Sequence, residues 1–147
     1  MARILGLDIG DKWTGTAVCD PSGIICRPLQ TVKTEELEGF LTDFLQNNAI
    51  SEIVCGIPLT CMGTEGEQVK KTKLIIESLK NLVTKMNFDS IKFIEWDERR
   101  SSKMASSSLN KSKKKPNPDD KLKIHSVAAA FILQSYTDFK NLDKTDF

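Results

Sequence analysis

Three places in this chain set ionisable groups where an apolar segment begins or ends. Asp8 lies inside the run Arg3-Ile4-Leu5-Gly6-Leu7-Asp8-Ile9-Gly10. A carboxylate there is costly to desolvate unless it is paired, hydrogen-bonded or bound to a metal. Gly10 lets the main chain turn sharply and lets a ligand approach it closely. Asp97 and Glu98 close a second apolar run, and His125, preceded by Asp119 and Asp120, opens a third. Carboxylates gathered from separate elements repel one another. A divalent cation offsets that repulsion, and an oxygen-rich cluster favours magnesium or manganese. Such a centre suits phosphoryl transfer, because a cation polarises the phosphate, acidifies water and stabilises the leaving oxygen. The same residues also suit a turn-forming aspartate at a strand end and unrelated surface carboxylates. Spacing alone leaves that choice open.

The elements that must position these groups follow from apolar periodicity. Residues 3–9, Thr14–Cys19 and Ile24–Leu29 read as three short strands. The turn signal Asp20-Pro21-Ser22-Gly23 joins the last two, which predicts an antiparallel meander. Leu37, Phe40, Leu41, Phe44 and Leu45 recur at helical spacing, with Thr34 as the expected cap. Glu52–Leu59 is continuously apolar around Ile53-Val54-Cys55-Gly56-Ile57, as expected of a strand buried on both faces of a parallel sheet. Thr64 and Glu67 match a capping box for a helix carrying Val69, Leu74, Ile75, Leu79, Leu82 and Val83. Ile91–Asp97 reads as another strand, Ser102–Leu109 as a short helix and about Leu122–Tyr136 as a last helix. A meander followed by strand–helix alternation predicts a mixed sheet with helices packed on it. We expect one domain over residues 1–140 and a C-terminal tail over 141–147.

Composition narrows the class. Hydrophobic content of 39% and charged content of 28% are ordinary for a globular protein. No segment is long and apolar enough to span a membrane, and the N-terminal apolar run is broken at Asp8, so a cytoplasmic protein is expected. Cys19, Cys26, Cys55 and Cys61 form no Cys-x-x-Cys pair, and with one histidine in the chain they read as buried thiols rather than a zinc site. The net charge is only +1, yet Lys111, Lys113, Lys114, Lys115, Lys121 and Lys123 crowd one segment. Such a run is a solvated loop, a phosphate-contacting patch, or both.

Four blocks occur in order: Arg3 to Gly15; Gly56-Ile57-Pro58-Leu59 with Gly63-Thr64-Glu65-Gly66-Glu67-Gln68; Asp97-Glu98-Arg99; and Ala128-Ala129 followed by Ile132-Leu133-Gln134-Ser135-Tyr136. Together they resemble the YqgF/RuvX family of pre-16S rRNA nucleases, also described as Holliday junction resolvases. The resemblance implies an α/β, RNase H-like (RuvC-like) fold: a five-stranded mixed sheet, antiparallel meander then parallel strands, with helices on both faces. It implies that Asp8 and Glu98, with Asp97 as the alternative, hold Mg2+ or Mn2+. Arg99 then contacts or orients phosphate, as a guanidinium suits. Lys12, Thr64 at a helix start, and Lys111, Lys113, Lys114 and Lys115 are the further nucleic-acid contacts.

One departure bears on the chemistry. Three residues before the paired alanines the family has an aspartate, and this chain has His125. A neutral imidazole can bind a metal, but it removes one negative charge and shifts preference towards manganese. His125 is accordingly counted with Asp8 and Glu98 as a catalytic and metal-site residue, and Asp120 is a source of the missing charge. Thr60-Cys61-Met62, Ser101 and Ser102 are milder departures. The implied function is metal-dependent endonuclease action on structured RNA, at the 5′ end of the 16S rRNA precursor, by a monomer or weak homodimer without membrane contact. The alternatives are resolution of branched DNA and a nucleic-acid-binding module with weak catalysis.

Overall fold

The computed structural model describes residues 2–57, 66–88, 90–97 and 118–145. Three strands open the fold, β1 (Arg3–Ile9), β2 (Trp13–Cys19) and β3 (Cys26–Lys33). A 3₁₀ turn (Thr34–Glu36) leads into α1 (Leu37–Asn47); β4 (Ile50–Ile57), α2 (Glu67–Lys85), β5 (Lys92–Asp97) and α3 (Pro118–Thr145) follow. The sheet has five strands in the order β3-β2-β1-β4-β5. β1 pairs antiparallel with β2, and β2 with β3; β4 lies parallel to both β1 and β5. The expected meander and the mixed sheet are both present.

Alternation along β1 divides the core. Leu5, Leu7 and Ile9 pack with Ile53, Cys55 and Ile57 of β4 beneath α1 and α2. Ile4, Ala17, Cys19 and Val54 pack on the other face against Ala129, Ile132, Leu133 and Tyr136 of α3. Helices therefore cover both faces, as expected for strands whose apolar residues point both ways.

The Asp20 turn forms as its residue types dictate. Gly23 adopts φ of +72° and donates its N–H to the Asp20 carbonyl at 2.9 Å. The Asp20 carboxylate accepts from Ser22 Oγ and from the Ile24 and Ile25 amides, which holds its carboxyl below the usual range. These bonds keep Ile24 and Ile25 in the turn, so β3 begins at Cys26 and reaches Lys33, later than the expected Ile24–Leu29.

Both expected helix caps differ. Thr34 does not cap α1; its hydroxyl donates to the Gly10 carbonyl at 2.6 Å and lies 2.9 Å from the Thr14 hydroxyl. It ties the β1–β2 turn to the end of β3. α2 starts at Glu67 with Gly66 as its cap and no side-chain capping bond; Thr64 is outside the described residues. Leu74, expected on the apolar face of α2, is 70% exposed, and Ile76 takes the buried position. α3 runs beyond Tyr136 to Thr145, and Asn141 donates to the Gly23 carbonyl at 3.1 Å. The expected helix over Ser102–Leu109 is outside the described residues.

Candidate active site

Asp8 is the penultimate residue of β1 and is partly buried. It shares the α3 face with Ile4 and Gly6, since alternate strand residues share a face. Its register partner on β2 is Gly15. A side chain at Gly15 would overlap the His125 carbonyl and the Ser126 amide, so α3 lies directly on the strand at that point. The imidazole-bearing turn of α3 thus meets the sheet beside Asp8, although the two residues are far apart in sequence.

Close seating of α3 depends on small residues. A Cβ at Gly6 would come within 3.0 Å of Leu133 Cβ and 3.3 Å of the Ala129 carbonyl. Ala17 and Ala129 are fully buried between these contacts. Periodicity did not mark Gly6 and Gly15 as site-forming. The available signal was the series Gly6, Gly15, Ala17 and Ala129, small residues whose parity places them along one seam.

A bulge adjoins the same point. The β2–β3 register shifts between Gly15 and Ala17. The Thr16 hydroxyl fills the gap, donating to the Gln30 carbonyl at 2.6 Å and accepting from the Gln30 amide at 3.1 Å. The extra residue belongs to β3, three steps from Thr31 to Pro28 against two on β2. A bulged strand bends and twists locally, while β2 keeps unbroken register with β1 beside Asp8.

The other parallel strands finish at the same end of the sheet. Leu7 pairs with Cys55 and Cys55 with Glu95, so Asp8 is level with Gly56 and Trp96. At about 4.8 Å per strand spacing, β5 lies on the order of 10 Å from β1. Asp97 is the last residue of β5 and pairs with Ile57. Glu98, Arg99, Thr64, Lys111, Lys113, Lys114 and Lys115 lie outside the described residues. Among the described residues, no three His, Cys, Asp or Glu side chains gather as a metal site.

Burial holds the His125 imidazole below its ordinary titration range, so near neutral pH it carries a lone pair rather than a charge. Lys12 is exposed at the β1–β2 turn, and its carbonyl accepts from the Thr34 amide at 2.9 Å. Cys19 and Cys55 are buried and Cys26 partly so. Burial pushes all three thiols up, Cys55 to about 12, which keeps them protonated. Among the described residues no helix is long and apolar enough to cross a membrane.

The fold matches known nucleases. Thermus thermophilus RuvC in complex with a Holliday junction substrate superposes with a TM-score of 0.56 at 12% identity, over 96% of both chains. The yeast mitochondrial Holliday junction resolvase Ydc2 gives a TM-score of 0.61 at 11% identity, covering 99% of this chain and 81% of that one. These likenesses establish an RNase H-like fold. A Sulfurihydrogenibium sp. protein named "Putative pre-16S rRNA nuclease" is 45% identical over 139 residues, 94% of this chain and 91% of the relative. The family model described as "RuvX: Holliday junction resolvase" matches residues 2–139. With the Asp8 strand, the mixed sheet and the α3 seam all within that span, the chain belongs to the RuvX (YqgF) family of nucleases.

Proposed function

We propose that the protein is a metal-dependent endonuclease that processes the 5′ end of the 16S rRNA precursor, with Asp8, Glu98 and His125 as its centre. The observation that carries this reading is the meeting of Asp8 and the His125 turn of α3 over Gly15. The name of the 45%-identical relative supports the substrate. Ile94 and Trp96 of β5 pack with the α3 cluster, so even-numbered positions of that strand share the Asp8 face. Glu98 lies outside the described residues and is the carboxylate we propose at the end of β5, with Asp97 as the alternative.

The donor set fits a divalent cation. Asp8 offers a carboxylate on a partly buried strand end, and His125 offers a neutral nitrogen because burial disfavours its charged form. When bound, the cation supplies charge neutralisation at the phosphate and activation of water. Mg2+ or Mn2+ suits the site, and the imidazole favours Mn2+. Arg99, Lys12, Thr64, Lys111, Lys113, Lys114 and Lys115 hold the phosphate backbone, and a cytoplasmic location suits an rRNA substrate.

The test is cleavage of precursor rRNA with Mg2+ and Mn2+ compared side by side. Asp8→Asn should lower the rate by more than the ~10–100-fold that outer-shell losses cost. Full cleavage by that variant would sink the mechanism. His125→Asp should shift metal preference back towards Mg2+. A large rise in its rate would instead mark the native protein as a binding module with weak catalysis.

The RuvC and Ydc2 likeness and the family description favour a second reading, resolution of branched DNA. Paired cuts need two centres, hence a symmetric dimer. A strictly monomeric protein at working concentration would count against it.

A further inference from the structure

Trp13 opens β2 and is half-buried. Its register partner on β3 is Lys33. Trp13 has the same parity along β2 as Gly15, Ala17 and Cys19, so it lies on the α3 face, in the row that continues from Gly15 beside Asp8. Trp13 also lines a cavity of about 220 Å³ together with Asp11, Lys12, Lys33 and Glu35. It is smaller than the roughly 300–1,000 Å³ of typical small-molecule sites. Its lining residues bring one indole, two lysines and two acidic side chains to this place, and the Asp11 carboxylate lies 3.9 Å from Lys71 Nζ.

A bare anion site would carry cations alone. A bare apolar site would carry no charge. An indole face beside lysines and carboxylates matches a nucleotide: the base offers a π face and N–H donors, and its phosphates are anionic. Aromatic platforms with flanking cations are how proteins hold unpaired bases, and they tolerate any sequence because every base has a π face. We propose that Trp13 and Lys33 form a subsite for one unpaired RNA nucleotide next to the cleaved phosphodiester, the base stacking on the indole and the adjoining phosphates meeting Lys33 and Lys12. The proposal rests on the nuclease reading of Asp8 and adds that the substrate must be single-stranded on one side of the cut.

The experiment uses the full chain with EDTA present, so that binding is read without cleavage. Two RNA hairpins are titrated, one blunt and one with an oligouridine tail, following indole fluorescence and anisotropy. The tail should quench wild-type fluorescence, and Trp13→Phe should abolish that quench while staying within about threefold of native affinity, since it keeps a ring to stack on. Trp13→Ala should weaken the tailed hairpin about tenfold or more and leave the blunt one unchanged. Lys33→Gln should weaken the tailed hairpin severalfold. Equal losses on both hairpins, or no tail-dependent quench in the wild type, would overturn the subsite. The quench is read on the native protein, so it decides the matter even if Trp13→Ala does not fold. A neutral Trp13→Ala beside an inactive Asp8→Asn removes the subsite alone. A tail-dependent Trp13 effect beside a fully active Asp8→Asn removes the nuclease reading alone.

Discussion

Single residues here obey one rule with two outcomes. A carboxylate buried in an apolar strand must find a partner, and Asp8 and Glu52 do so differently. Asp8 lies at the end of β1 where the His125 turn of α3 meets the sheet. Glu52 lies near the start of β4, is 8% exposed, and accepts from Tyr136 Oη at 3.1 Å and from Lys140 Nζ at 2.8 Å. Sequence reasoning singled out Asp8 and passed over Glu52, because Tyr136 and Lys140 are too distant in the chain for spacing to reveal them. The arrangement makes Glu52 a structural acid. Tyr136→Phe removes a hydrogen bond to a charged acceptor and should cost about 1.5–3 kcal/mol of stability by urea melt, with cleavage unchanged once folded. A pH dependence follows as well. Burial and the Glu52 carboxylate push the Tyr136 hydroxyl up to about 12 from its ordinary 10.0. The folded state keeps a proton that the unfolded state releases, so this contribution is complete below about pH 10 and is lost as pH rises towards 12. Wild-type Tm should fall over that window, and Tyr136→Phe should fall less steeply.

At the scale of elements, most of the architecture was legible, and the errors were local. Apolar alternation identified the strands, and helical spacing found α1 and α2. The boundaries failed where a side chain preferred a tertiary partner: Thr34 bonds Gly10 rather than capping α1, and Asp20 holds Ile24 and Ile25 in its turn. Leu74 failed because its helical neighbours Lys70, Lys71, Glu77 and Ser78 are polar and it stands on the solvent side, whereas Ile76 shares the core-facing side with Val69, Leu79 and Val83. The seam under α3 was the least legible feature, since glycine carries no periodic signal. That seam places His125, which gives a prediction at this scale. Gly15→Ala pushes a methyl into α3 backbone, which cannot swing aside as a side-chain tip can. Overpacking of this kind costs about 3 kcal/mol, on the order of 10 °C in Tm for a chain of this size. Under conditions where the variant is fully folded, its cleavage should still be reduced, because the helix turn that carries His125 is displaced. Native cleavage by a folded Gly15→Ala variant would separate His125 from the chemistry.

Across the whole molecule, the net charge of +1 conceals an uneven distribution. A polyanion is not drawn by a charge near zero; it is held by wherever the cations concentrate. The candidate centre supplies carboxylates, which repel phosphate, so attraction for the substrate must come from elsewhere. Among the described residues, Lys12 and Lys33 flank Trp13, two positions along β2 from Gly15, the register partner of Asp8. Lys111, Lys113, Lys114 and Lys115 immediately precede α3, the helix whose first turns bring His125 to the sheet. Chain connectivity therefore ties the densest positive segment to the candidate centre, and this was readable from sequence once the order of elements was known. Each phosphate neutralised lowers the slope of log affinity against log salt by about 0.7 for single strands and 0.9 for duplex. Replacing all four lysines with glutamine should therefore flatten that slope by up to about 3. Affinity at low salt should fall steeply, with the cleavage rate at saturating RNA unchanged, since these groups hold substrate and do not take part in bond breaking. An unaltered slope would mean that the lysines stay solvated in the complex, and binding would then rest on the Lys12, Trp13 and Lys33 side of the centre alone.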